Sequence, residues 1–153
     1  MIQVSGPSVF REYYRLPDKT AKEFTDDGWF ITGDIGARDA EGRYYMMGRE
    51  SVDIIKSGGF KLSALEIERE LLDHPSIADV AVVGIPSTEW GEAVGAAVVL
   101  RAGTTMAMSD LKPWCNTRMA KYKTPKQLCV VEALPRNLMG KLDKKAVKLL
   151  FSV

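Results

Sequence analysis

The sequence predicts an α/β (α+β) fold in which a mixed sheet is flanked by helices and preceded by a β-rich leading segment. Three observations predict it. From Asp53 onward, runs of Val, Ile and Ala interleave with stretches of helical spacing; glycines and prolines punctuate the changes; and capping residues stand where a strand pattern gives way to a helical one. The order read from Asp53 is two strands, helix, two strands, helix, strand, helix, a small two-layer or three-layer unit.

Taken in order, Ile2 to Val4 reads as a short strand stopped by Gly6-Pro7, and its abrupt start suggests a chain that begins partway through a larger fold. Val9, Phe10, Tyr13 and Tyr14 recur at helical spacing before Pro17, so a partly helical aromatic segment is expected, with Thr20 to Phe24 as a further turn. Asp27-Gly28 then introduces the extended run Trp29 to Asp34. Asp34 follows a glycine and is open to two readings. Its carboxylate suits two vicinal hydroxyls, as on a ribose, and equally an Asx turn on its own backbone.

Ile35 to Arg38 and Arg43 to Met47 form a predicted hairpin around Asp39-Ala40-Glu41-Gly42, and Gly48-Arg49 follows at once. A second hairpin is expected from Asp53 to Ile55 and Phe60 to Leu62 around Ser57-Gly58-Gly59, where paired glycines permit a tight turn and close approach of a ligand. Ser63-Ala64-Leu65-Glu66 is a capping box for a helix reaching about Asp73. Ile77 to Ile85 and Ala93 to Leu100 read as buried strands, separated by Pro86 and Trp90-Gly91. Ser109 is the expected cap of a helix to about Met119, with Pro113 near its first turn; a strand from Gln127 to Glu132 follows, and Asp143 caps a last helix through Leu150.

Between that strand and that helix lies Leu134-Pro135-Arg136-Asn137-Leu138-Met139-Gly140-Lys141. Pro135 and Gly140 shape the loop that carries Lys141, which reads either as a surface lysine in a polar turn or as a lysine held for a task. From Arg118 to Lys148 nine basic residues face only Glu132 and Asp143, a basic face suited to phosphate-bearing small molecules, nucleic acid or plain solubility. Interleaved aromatics are sparse, with only Trp114 and Tyr122 nearby, which argues against nucleic acid.

Composition excludes several classes. Apolar residues make up 46% and charged residues 27% of the 153, as in globular proteins, and the net charge is +1. Cys115 and Cys129 are too far apart for a CxxC pair, and the lone His74, before Pro75, suits a helix end and excludes a histidine metal cluster. No apolar run reaches the length of a membrane span, and Met1 to Phe10 lacks a secretory layout. Gly58-Gly59 matches neither the Walker nor the dinucleotide glycine spacing.

In combination, Trp29-Phe30-Ile31-Thr32-Gly33-Asp34, then Gly48-Arg49 through Lys56-Ser57-Gly58-Gly59-Phe60-Lys61 to Glu66-Ile67-Glu68, then Pro135-Arg136-Asn137 with Gly140-Lys141, resemble in order and spacing the C-terminal part of the adenylate-forming acyl-CoA synthetases. Ser51 to Lys56, Ser63 to Glu66 and Arg136 to Lys145 look most like malonyl-CoA synthetases. The resemblance implies residues 1–49 as terminal strands and hairpin of a large N-terminal domain and 50–153 as a mobile C-terminal domain. It implies ATP and coenzyme A as co-substrates of a carboxylic acid, with Mg2+ accompanying ATP on ligands outside this chain.

By the same resemblance Lys141 is the adenylation lysine, Asp34 the ribose carboxylate, and Arg49 and Lys61 nucleotide contacts. Lys56, Gly58 and Gly59 fall on the coenzyme A side, and Ser51 or Val52 at the hinge about which such domains turn between half-reactions. Between Arg49 and the glycine pair the chain carries one residue more than luciferase or coumarate ligases, which is why two hinge positions stand. The phosphate loop and acyl pocket of such enzymes lie in the N-terminal domain, so this chain alone is expected to be inactive. A noncatalytic binding or regulatory module on the same scaffold is the alternative, and a nucleic-acid module a remote one. An intracellular setting, mitochondrial or cytoplasmic, is expected, with no nucleic acid and no membrane span.

Overall fold

The computed structural model describes residues 1–152. It divides into two compact units, Met1–Ser51 and a second beginning at Val52.

In the first unit, β1 (Gln3–Val4) pairs antiparallel with β2 (Phe30–Ile31), and β3 (Asp34–Arg38) forms a hairpin with β4 (Tyr44–Arg49). The hairpin turn is held by Asp39, whose carboxylate accepts from Arg43 N at 2.8 Å, Arg43 Nε at 2.7 Å and the Tyr45 hydroxyl at 2.8 Å. The helix of this unit, α1 (Pro17–Glu23), opens on a proline whose fixed φ suits a first turn. The helical spacing of Val9 to Tyr14 does not become a helix. Phe10 instead packs edge-on against Tyr13, Phe24 and Phe30 with ring centroids 4.9 to 5.4 Å apart, and Arg15 takes a left-handed φ of 55° that stops any helix before Pro17.

The second unit is built on two long antiparallel strands, β7 (Ile77–Ser87) and β8 (Gly91–Leu100). The hairpin β5 (Ile54–Ser57) and β6 (Phe60–Ser63) joins β8 through the pair Ser57 and Gly91, and β9 (Gln127–Val130) runs parallel to β8 from Gly95 to Val98. The strand order is β6-β5-β8-β7 with β9 also on β8, a mixed sheet as expected. Both long strands extend past their predicted ends. Pro86 is accommodated because β7 lies at the sheet edge, where a missing N–H need not break a ladder.

Side chains from β7 and β8 alternate between two cores. Val80, Val82, Val94, Ala96 and Val98 pack with Ile67 and Leu71 of α2 (Ala64–Leu72) and with Leu111 and Cys115 of α3 (Met108–Arg118). Ala81, Val83, Ile85, Ala93 and Ala97 pack with Leu134 and with Val147 of α4 (Lys144–Leu149). Burial on both faces explains the near-continuous apolar runs of these strands and makes the unit three-layered.

Two caps form as read: Ser63 Oγ accepts from Glu66 N at 3.1 Å, and Asp143 Oδ1 accepts from Lys145 N and Ala146 N at 3.0 and 3.1 Å. The cap of α3 does not. Ala107 takes the N-cap position because the Asp110 carboxylate reaches back to its N–H at 2.8 Å, so Ser109 lies inside the helix and Pro113 in its interior rather than its first turn.

Leu71 is fully buried whereas its neighbour Leu72 is 45% exposed. Leu71→Ala is expected to cost about 2–5 kcal/mol of unfolding free energy, and Leu72→Ala within about 0.5 kcal/mol, read from urea denaturation midpoints.

Candidate functional site

In the first unit the β3–β4 register sets Asp34 opposite Arg49. Arg49 Nε donates to Asp34 Oδ1 at 3.0 Å and Arg49 Nη2 donates to Thr32 O at 3.1 Å, while Thr32 Oγ1 accepts from Asp34 N at 3.1 Å. Gly33, at φ 76°, turns the chain between them. The Asp34 carboxylate is therefore oriented by a guanidinium and still about a third exposed, with acceptor capacity left for hydroxyl groups.

In the second unit, Gly58 and Gly59 form the tip of the β5–β6 hairpin with φ of 56° and 83°. A Cβ on Gly58 would lie 2.9 Å from the Trp90 ring, whereas space beside Gly59 is open. Lys56 and Lys61 are a cross-strand pair flanking the turn, both exposed. Next to this turn is a cleft of about 220 Å³ lined by Ser57, Gly58, Phe60, Trp90, Lys121, Tyr122 and Lys126. Phe60 and Tyr122 stack at 4.6 Å and 8°, and Lys126 Nζ lies 5.4 Å from the Trp90 ring centre. Aromatic faces with two lysines suit a stacked base and its phosphates.

The Lys141 loop is built by Asn137. Its Oδ1 accepts from Met139 N at 2.9 Å and from Lys141 N at 3.0 Å, its carbonyl accepts from Gly140 N at 2.8 Å, and its own N–H donates to Lys141 O at 2.8 Å. Arg136 straps the outside, donating to Gly140 O at 3.0 Å and to Asp79 Oδ2 at 2.7 Å. Buried Leu134 fixes one end of the loop and the Asp143 cap the other. The backbone of Lys141 is thus held on both sides, while its side chain is exposed and its ammonium has no ion-pair partner among the described residues. A second cavity, of about 260 Å³, connects Val52 to the base of this loop at Asn137, Leu142, Asp143, Lys144 and Lys145.

Three residues beyond Lys141, the side chain of Lys144 turns inward and is only 9% exposed. Its ammonium donates to Glu68 Oε1 and to Val82 O at 2.9 Å, and lies 3.2 Å from Asp53 Oδ1; Glu68 Oε1 also accepts from Val82 N at 2.7 Å. Burial pushes the Glu68 carboxyl up from its ordinary 4.5, against the opposite pull of Lys144 and the Val82 N–H.

Of the residues singled out by sequence, the structure brings Asp34 and Arg49 together, and gathers Lys56, Gly58, Gly59 and Lys61 in one hairpin with Lys141 on a separate loop. The expected basic face is partly neutralised. Arg118 pairs with Glu70 and Asp73, Lys123 with Glu66, Arg136 with Asp79, and Lys144 is buried. Sequence reasoning missed Trp90, Phe60, Tyr122 and Lys126 as one cleft, because they come from three separate stretches of the chain. The adjacency of Trp90 to a glycine was the available signal. His74 accepts from Ser76 N through Nδ1 at 3.1 Å and packs edge-on against Trp114, in keeping with a helix-end residue. Among the described residues no group of three His, Cys, Asp or Glu could hold a metal ion, and no helix is long and apolar enough to cross a membrane.

Residues 66–141 match the AMP-binding enzyme C-terminal domain family. Over 143 residues, 93% of the chain, it is 55% identical to the mitochondrial malonate–CoA ligase ACSF3 of Mus musculus, covering 24% of that protein. It is 43% identical over 157 residues, 96% of the chain, to the malonate–CoA ligase of Arabidopsis thaliana, covering 26% of it. The crystal structure of ATP-bound MatB from Rhodopseudomonas palustris superposes with a TM-score of 0.88 at 40% identity, over 97% of this chain and 29% of that one. The chain thus spans about a quarter of the length of the curated relatives it matches.

Removing the Lys144 ammonium would leave two carboxylates without it in a buried site, so Lys144→Ala is expected to cost about 3–5 kcal/mol in urea unfolding. Glu68 titrates higher in the folded state than unfolded, so it contributes stability that is present below pH 4.5 and lost as pH rises through its raised folded value. The stability of Glu68→Gln relative to the parent is therefore expected to improve as pH rises from 4 toward 7, measured by urea unfolding at each pH.

Proposed function

Because residues 66–141 belong to the AMP-binding enzyme C-terminal domain family, we propose that the chain serves an ATP-dependent carboxylate–CoA ligase, with malonate as the acid named for its murine and plant relatives. The observation that carries this reading is the presentation of Lys141, an exposed ammonium on a loop whose backbone is fixed by Asn137 and Arg136. In the first half-reaction an acid oxygen attacks the α-phosphorus of ATP, the acyl–phosphate bond forms and pyrophosphate leaves. Lys141 bridges the acid carboxylate and the α-phosphate, offsetting charge that builds in the transition state. Asp34 accepts from the ribose hydroxyls, and Arg49, which orients Asp34, supplies a second nucleotide contact, with Lys61 a further one.

In the second half-reaction the coenzyme A sulfur attacks the acyl carbon, the carbon–sulfur bond forms and AMP leaves with the electron pair of the broken bond. Gly59 leaves open space for the pantetheine arm to pass close to backbone, beside Gly58, which packs under the Trp90 ring, and Lys56. Phe60, Trp90 and Tyr122 offer ring faces to the adenine end, and Lys121 and Lys126 offer charge to its phosphates. Residues 1–49 are assigned to the end of a large N-terminal domain and 50–153 to a mobile domain, with Ser51 and Val52 as hinge. The division of the chain between those two residues supports that assignment. Mg2+ enters with ATP as part of the substrate. A setting where ATP and coenzyme A are supplied, mitochondrial or cytoplasmic, fits the reaction, and no nucleic acid is required.

In the full-length ligase, Lys141→Ala is expected to slow pyrophosphate release by about 10²–10³-fold while thioester formation from preformed acyl-adenylate changes little, and Gly59→Val to do the reverse. Equal loss in both half-reactions would overturn the assignment of Lys141 and Gly59 to separate half-reactions. Trp90→Ala with Lys126→Ala is expected to raise the KM for coenzyme A by about tenfold with the KM for ATP unchanged, read from steady-state kinetics.

A further inference from the structure

The glycine hairpin is joined to β8 by a single strand pair, Ser57 with Gly91, supplemented by Gly58 N donating to Trp90 O at 2.9 Å. One residue earlier, Lys56 N donates to Glu92 Oε2 at 2.8 Å. This is a charge-assisted bond from backbone to a side chain 36 residues away, and it fixes the amide that leads into the turn. Glu92 Oε1 lies 3.6 Å from Lys148 Nζ on α4, the helix that follows the Lys141 loop.

Gly84 on β7 reveals how that carboxylate is accommodated. A Cβ built there would stand 2.7 Å from Glu92 Cδ and Oε1 and 2.8 Å from Oε2, whereas its φ lies outside the left-handed range where glycine is favoured. The backbone at 84 does not require glycine; the space over it does. Two positions on neighbouring strands are thus matched, a residue without a side chain and a carboxylate that occupies the vacated room on its way to Lys56 N–H.

We infer that Glu92 is a positioning residue for the glycine hairpin, acting through Lys56 N–H, with Gly84 keeping the room its carboxylate needs. The inference rests on the hairpin serving the coenzyme A half-reaction. Removing Glu92 loosens the turn and weakens thioester formation, while the Lys141 loop, held by Asn137 and Arg136, keeps its adenylation geometry. Gly84→Ala reaches the same end by displacing the carboxylate.

The test uses the full-length ligase with Glu92→Ala, Glu92→Gln, Gly84→Ala and the Glu92→Ala/Gly84→Ala double variant. Amide exchange at Lys56 to Gly59 is expected to rise about tenfold in Glu92→Ala and Gly84→Ala, with β7 and β8 as protected as in the parent, and to return toward the parent in Glu92→Gln, whose amide oxygen still accepts. Thioester formation from preformed acyl-adenylate is expected to fall about tenfold in the same two variants, with pyrophosphate release unchanged and no further loss in the double variant, since both changes remove one contact. Unchanged exchange at Lys56, additive losses, or equal loss of both half-reactions would overturn the inference. Normal thioester formation in Glu92→Ala beside a defective Gly59→Val would also overturn it. Normal thioester formation in Gly59→Val itself would instead overturn the reading of the hairpin on which it rests.

Discussion

The second unit depends on one buried ammonium. Lys144 is the first residue of α4, and its side chain meets Glu68 of α2, the carbonyl of Val82 on β7 and Asp53 at the start of the hairpin segment. Transfer of such a charge from water costs several kcal/mol unless it is paired and bonded, and here each contact comes from a different element. Val82 donates its N–H to Glu68 and offers its carbonyl to Lys144, so the edge of β7 is closed by side chains at that point rather than by another strand. The layers that pack on either face of the sheet are thereby held in one arrangement, and Lys141, three residues earlier in the chain, inherits its place from it.

The two candidate surfaces of this unit are stabilised in different ways, and the difference suits the proposed chemistry. The Lys141 loop is closed on itself by Asn137 and strapped to β7 through Arg136 and Asp79, which fixes the backbone from which its ammonium is presented. The glycine hairpin is anchored at its base by Ile55 and Leu62 in the core, and near its tip has one strand pair, one backbone bond and one carboxylate contact to the sheet beside it. At its tip, Gly59 leaves open space for a ligand to pass close by. In the first unit, Asp34 is likewise oriented before any ligand arrives, by a guanidinium placed opposite it through strand register.

Much of the fold was legible in the sequence because its signals are local. Ser63 and Asp143 announce their helices, the Gly58-Gly59 pair announces its turn, and the apolar runs of β7 and β8 announce strands covered on both faces. Errors fell where a distant group outweighed a local preference. Phe10 has the spacing of a helical residue but finds three aromatic rings to pack against, and Ser109 has the chemistry of a cap but yields to Asp110 reaching back to Ala107. Lys144 looked like one more member of a basic face, since nothing in a run of lysines tells which one has buried acceptors waiting.

By itself, the sequence determined the kinds of element, their order and the glycine turn, because each depends on residues within a few positions of one another, and it carried in order and spacing the motifs whose family resemblance singled out Asp34, Arg49, Gly59 and Lys141. Tertiary structure alone decided that Phe60, Trp90, Tyr122 and Lys126 share a cleft, which members of the basic stretch are paired, and that Glu92 reaches Lys56 over the space left by Gly84. These depend on strand register and on helices crossing a sheet. Charge pairing and close approach act through space, and residues 36 to 76 positions apart become neighbours only once the sheet has formed.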